Sequence, residues 1–86
     1  MKVLSVQPTP NPNSMRVVLD FELPMTESYN YKKSDVETAK QPAKSVLEVE
    51  GVIGIYHVMN FMAVERDASV EWDAIIPQIE QAINNQ

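Results

Sequence analysis

The sequence predicts an α+β two-layer sandwich, a mainly antiparallel sheet of four to five strands with two main helices on one face. Three observations predict it. Short runs rich in β-branched residues, such as Lys2 to Gln7, Met15 to Asp20 and Val52 to Val58, have the composition of strands. Trp72, Ile75, Ile76, Ile79 and Ile83 recur at the three- and four-residue steps of one helical face, the mark of an amphipathic helix lying on a sheet. The runs follow the order strand, strand, weak strand, helix, strand, strand, helix, without the repeated βαβ rhythm of a parallel sheet.

The first two strands, Lys2 to Gln7 and Met15 to Asp20, flank a proline-rich run and are expected to pair antiparallel across a stiff connection of about six to eight residues, longer than a tight hairpin turn. Phe21 to Glu27, interrupted by Pro24, is a second connection. Ser28 to Lys33 offers a short polar strand whose lysines suit a sheet edge. Ser34-Asp35-Val36-Glu37 has the form of a capping box that starts a helical turn through Ala39. Pro42 falls at the first position of a helix running to about Val49, with Gly51 as its stop.

Val52 to Val58 and Phe61 to Arg66 are two further strands joined near Met59-Asn60. Both parities of the first are apolar, so it is expected to be central and covered on much of both faces. Asp67 or Ser69 is expected to cap the final helix, Trp72 to belong to its buried stripe, and Pro77 to kink it or divide off its first turn.

At 86 residues the chain reads as a single domain, 1–86. It has no cysteine, which excludes a disulfide framework, a zinc knuckle and any iron–sulfur cluster held by its own thiolates. No stretch approaches the length of a membrane span, and the N-terminus has too short an apolar run for a signal peptide, so a cytoplasmic location is expected. Twelve acidic against seven basic residues give a net charge of −5, which repels nucleic-acid backbones. Lys32, Lys33, Lys40 and Lys44 form the densest basic stretch, and such runs usually serve as a solvated face.

Catalytic chemistry finds little support. His57 is the only histidine, with no nucleophile elbow or His-Glu-x-x-His around it, and its setting beside Tyr56 and Val58 suits a structural or partly exposed histidine. Glu65, Asp67, Glu71 and Asp73 cluster near the start of the last helix, where carboxylates complement the helix dipole. There is no calcium loop and, with only Gly51 and Gly54, no phosphate-cradling loop, so no cofactor or metal is expected. Tyr29 and Tyr31, two residues apart on the weak strand, are expected to form an exposed aromatic pair on which a partner stacks.

The most distinctive stretch is Gln7-Pro8-Thr9-Pro10-Asn11-Pro12-Asn13-Ser14. Its prolines remove ordering entropy from the unfolded chain. One reading is a rigid crossover whose asparagines satisfy their own backbone. The other is a preorganised recognition surface, with Thr9, Asn11, Asn13 and Ser14 as partner-binding residues.

Pro8-Thr9-Pro10-Asn11-Pro12-Asn13-Ser14-Met15, with Gln41-Pro42-Ala43-Lys44, Gly51-Val52, Asn60-Phe61, Val64, Trp72 and Pro77, resembles the N-terminal domain of Nfu/NifU-type iron–sulfur scaffold proteins over nearly the whole chain. That resemblance implies an α+β fold, in a family where a separate domain with a Cys-x-x-Cys pair holds the cluster. The sequence looks like the stand-alone form of the domain found in some bacteria. It departs from many members at Gln41, where a serine would cap the following helix better.

The resemblance implies a non-enzymatic accessory or adaptor domain of iron–sulfur cluster assembly, acting on a protein partner such as a scaffold, carrier or target protein. The alternative is a small binding module for a phosphorylated or other anionic ligand. Any iron that bound would have to use oxygen ligands or His57, and weakly.

Overall fold

The alternation of side chains along the strands decides which face of the sheet receives the helices. A computed structural model describes residues 1–86. It contains β1 (Val3–Pro8), β2 (Ser14–Leu19), β3 (Ser28–Lys32), a 3₁₀ turn (Lys33–Asp35), α1 (Ala43–Leu47), β4 (Val52–Val58), β5 (Phe61–Arg66) and α2 (Trp72–Asn84). The strands form one sheet in the order β1-β2-β5-β4-β3, and every neighbouring pair is antiparallel. The α+β sandwich expected from the sequence is the architecture observed.

Val17 and Leu19 of β2, Met62 and Val64 of β5 and Val52 and Ile55 of β4 project to one side. There they meet Val46 and Leu47 of α1 and Ile75, Ile79 and Ile83 of α2, all at most 2% exposed. Five residues of α1 are too few to hold a helix by backbone bonds alone, so this packing sustains it. The termini close the layer: the Met1 amine donates to the Gln86 carbonyl at 2.9 Å, and Val3 N–H donates to Asn84 Oδ1 at 3.0 Å.

Several local expectations are corrected. The cap of the 3₁₀ turn lies two residues earlier than the Ser34–Glu37 box: Lys32 N–H donates to Asp35 Oδ2 at 2.9 Å. α1 ends at Leu47 rather than Val49, with the Lys33 ammonium donating to the carbonyls of Leu47 and Val49 just past its last turn. Pro42 stands at the N-cap position rather than at the first position of the helix, and Gln41 before it contributes through its Oε1, which accepts both the N–H of Ser45 at 3.1 Å and its hydroxyl at 2.9 Å. Neither Asp67 nor Ser69 caps α2, whose N-cap position is Glu71. Asp67 instead closes a turn on Ser69, accepting its N–H at 2.9 Å and its hydroxyl at 2.7 Å, and these bonds pull the Asp67 carboxyl below its ordinary pKa. α2 runs unbroken through Pro77.

The largest correction concerns β4. It is covered on one face only, and Ile53 and Tyr56 stand 44% and 42% exposed on the other. Val52 pairs with Arg66 and Gly54 with Glu65, so Ile53 is the extra residue of a bulge that resets the alternation. Apolar residues at both parities therefore reflect a bulged strand with one exposed apolar face, not a strand buried on two sides.

Candidate functional site

The proline run connects β1 to β2 through residues 9–13, shorter than expected, and its polar groups are largely consumed within the loop. The Thr9 hydroxyl donates toward the carbonyls of Asn11 at 2.9 Å and Ser14 at 3.0 Å while accepting the N–H of Asn11 at 3.2 Å. Asn11 Oδ1 accepts the N–H of Asn13 at 2.9 Å, and the Asn11 carbonyl accepts the N–H of Ser14 at 3.0 Å. The crossover reading thus describes Asn11, whose oxygen mimics a backbone turn, while the Asn13 oxygen serves a residue outside the loop. The side-chain NH₂ groups of both asparagines have no partner in the chain.

Two residues from the far end of the sequence clamp this loop. Trp72 Nε1 donates to the Pro12 carbonyl at 2.9 Å. Arg66 donates its backbone N–H to the Asn13 carbonyl at 2.9 Å, its Nε to Asn13 Oδ1 at 3.4 Å and a terminal nitrogen to the Val70 carbonyl at 2.9 Å, with its guanidinium carbon 5.3 Å from the centre of the Trp72 ring. Trp72 packs against the core as expected of the stripe, yet its indole nitrogen serves the loop. Neither clamp is legible in the loop itself. Replacing Trp72 with phenylalanine keeps most of the apolar area and removes one hydrogen bond, so a stability loss of about 0.5–1.5 kcal/mol is expected in urea unfolding, with faster amide exchange at Asn13 and Ser14.

The face of the sheet away from the helices has no covering layer. Its register gives one row of Ser5, Val18, Phe61, Val58 and Ser28, a second of Gln7, Arg16, Ala63, Tyr56 and Asn30, and a third of Ser14, Glu65, Gly54 and Lys32. A second bulge lies in β1, where Val3 pairs with Leu19 and Ser5 with Val18, leaving Leu4 extra and 63% exposed. Each bulge therefore adds an apolar side chain, Leu4 or Ile53, to the uncovered face. The Arg16 guanidinium lies 4.0 Å from the centre of the Phe61 ring, in cation–π contact.

Tyr29 and Tyr31 are on the opposite, helix side, paired with His57 and Ile55. They are half-buried rather than freely exposed, stacked on each other with centroids 5.7 Å apart and planes 3° apart. The Tyr29 hydroxyl donates to Glu27 and accepts from the Lys40 ammonium at 3.1 Å, while the Tyr31 hydroxyl accepts the Lys40 backbone N–H at 3.2 Å. The bond to Tyr29 raises the pKa of Lys40.

His57 is buried to 2% exposure on β4, 6.2 Å from the Phe21 ring, and its Nε2 has no hydrogen-bond partner. Burial holds its pKa below the usual value, so the folded chain keeps it neutral. The unfolded chain takes up a proton below about pH 6.5 that the folded chain resists. Stability is therefore full above that pH, falls as the pH drops below it and levels off beneath the folded pKa. Urea midpoints at pH 7.5 and pH 5.0 are expected to differ more for the wild type than for His57→Leu, the variant removing this share of the acid sensitivity.

No three His, Asp or Glu side chains converge to hold a metal ion. Together with the lack of cysteine, that donor set does not fit an iron–sulfur cluster. A shallow groove of about 480 Å³ between α1 and α2 is lined by Ser45, Glu48, Val49, Glu50, Gln78, Gln81, Ala82 and Asn85, a polar and acidic surface. No helix is long and apolar enough to cross a membrane.

A family model described as the N-terminal part of the scaffold protein Nfu/NifU matches residues 4–86. The chain belongs to the Nfu/NifU N-terminal family. This Nfu N-terminal domain is 46% identical over 82 residues to the uncharacterized protein YpgR of Bacillus subtilis, and 38% identical over 85 residues to the conserved virulence factor C of Staphylococcus aureus. Those alignments cover 95% and 99% of this chain but only 22% of each relative, so the chain spans about a fifth of the length of the curated relatives it matches.

Among solved structures, the crystal structure of Staphylococcus aureus protein SAV1430 superposes with a TM-score of 0.82 at 36% identity, covering 95% of this chain and 98% of that one. The solution structure of SeR13 from Staphylococcus epidermidis gives 0.65 at 26%, covering 99% and 98%. The Nfu N-terminal fold is thus shared by solved chains of about the same extent.

Proposed function

We propose that the domain is a non-enzymatic adaptor of iron–sulfur cluster assembly, docking a cysteine-bearing scaffold, carrier or target protein. The cluster is the cargo of that partner and is not held by this chain. The observation that carries the reading is the uncovered sheet face, on which Leu4, Val18, Ile53, Tyr56, Val58 and Phe61 leave apolar surface in water. Family membership supports the association with cluster assembly.

Of the loop residues offered as partner-binding, Ser14 begins the third row of this face and Thr9 and Asn11 lie in the loop just before it, whereas Asn13 is tied to Arg66, whose guanidinium lies against Trp72 on the helix side. Tyr29 and Tyr31, on the other side of the sheet, offer a separate and smaller surface. An interface on this face is small, in the range of transient complexes below about 1,200 Å². Titrating a purified Cys-x-x-Cys scaffold domain into this domain in a calorimeter is expected to give saturable one-to-one heat in the micromolar range. A flat titration up to millimolar concentration would refute the adaptor reading.

A further inference from the structure

The uncovered face differs in charge from the rest of the molecule. The chain carries a net −5, yet the charged side chains in the three rows are Arg16 and Lys32 against Glu65 alone. Glu48, Glu50, Asp73 and Glu80 lie on the helix layer. The only ion pair in the chain, Arg66 with Glu71 at 4.0 Å, lies elsewhere. Arg16 therefore stands exposed with its guanidinium stacked on Phe61 and no carboxylate to meet it. Stacking restricts the guanidinium while leaving its N–H edge free, which lowers the ordering penalty for a carboxylate that arrives there.

From this charge complementarity we propose that the open face docks an amphipathic α-helix of a partner protein. An apolar stripe of that helix covers Leu4, Val18, Phe61 and Val58, and an acidic residue beside the stripe pairs with Arg16. The dimensions agree. Val18, Phe61 and Val58 are cross-strand partners, so the helix runs across the strands, and five strands spaced about 4.8 Å apart span roughly 20 Å, the length of about 13 helical residues. A docked helix would also give the sheet the second covering layer that its apolar side chains lack. A second copy of the chain fits less well, since it would bring together two bodies of net charge −5 with Arg16 and Lys32 on both sides of the contact. This inference rests on the adaptor reading and adds to it the surface used and the kind of segment recognised.

Amide shifts of the labelled domain test it with two probes. One is the Cys-x-x-Cys scaffold domain. The other is a synthetic helix with leucines at i, i+3, i+4 and i+7 flanked by glutamates, compared with the same helix flanked by lysines. The glutamate helix is expected to shift Arg16, Val18, Tyr56, Val58, Phe61 and Ala63, and to bind more tightly than the lysine helix.

Arg16→Glu, an exposed substitution checked by an unchanged spectrum in the core, is expected to weaken the glutamate helix about tenfold and to favour the lysine helix instead. Scaffold binding with shifts confined to the loop or the helix layer overturns the docking face while leaving the adaptor reading intact. Helix binding on the face without scaffold binding does the reverse. No shift on the face with either probe, or equal binding of the two helices, overturns the inference.

Discussion

Ile79→Ala is expected to leave the domain largely unfolded near body temperature. Ile79 lies in the middle of α2, 1% exposed, in the cluster that joins that helix to the sheet and to α1. Truncation removes three buried carbon atoms and leaves a cavity, for which buried isoleucines typically lose about 2–5 kcal/mol. A small domain with no disulfide has a total stability at the low end of about 5–15 kcal/mol, so most of the folding free energy is at stake. The melting midpoint followed by circular dichroism should drop by at least about 10 °C. Ile76→Ala on the same helix is the control: Ile76 is only half-buried and should lose clearly less.

Gly51→Ala is expected to be the most damaging substitution of a single small residue. Gly51 turns the chain from α1 into β4 with φ +100°, a conformation that L side chains rarely adopt. A Cβ there would also sit 2.9 Å from Cγ2 of Val70 and 3.3 Å from Cδ1 of Ile75. Backbone strain and overpacking each contribute about 1–3 kcal/mol, and they act together at this site. Gly54→Ala provides the comparison, since its nearest neighbour is the Tyr31 carbonyl oxygen at 3.4 Å and its φ is ordinary. Urea unfolding of the two variants should place Gly51→Ala well below Gly54→Ala. Equal midpoints would show that the turn relaxes without strain.

The elements that depend on local pattern were legible in the sequence. The isoleucine steps of α2 and the β-branched runs of the strands specify a sheet with helices on one face, because burying one stripe against one face is the only use for both. Two features were illegible for a physical reason. A bulge leaves no mark in the composition: Ile53 and Leu4 look like core residues, and only the pairing of Val52 with Arg66 and Val3 with Leu19 turns them outward.

Long-range clamps are equally silent. Trp72 reads as one more apolar residue of a helical stripe, yet it donates across 60 positions to Pro12, and Lys33 serves carbonyls 14 and 16 positions away. The same limit applies to the candidate site. The distinctive prolines and asparagines draw attention to the loop, where most oxygens are already used, while the uncovered face is assembled from residues of five strands that look ordinary one at a time. Arg16 carried no signal until β5 placed Phe61 beside it.

The proposed role of this cysteine-free domain is to promote cluster assembly by holding a partner without carrying the cluster. The most direct measurement is the rate of cluster transfer from a loaded Cys-x-x-Cys scaffold domain to an apo-acceptor protein, followed by visible absorption with and without this domain. The expected result is a transfer rate that rises and saturates with added domain, while the re-isolated domain has no cluster absorption. An unchanged rate, or a cluster recovered on the domain itself, would contradict the claim.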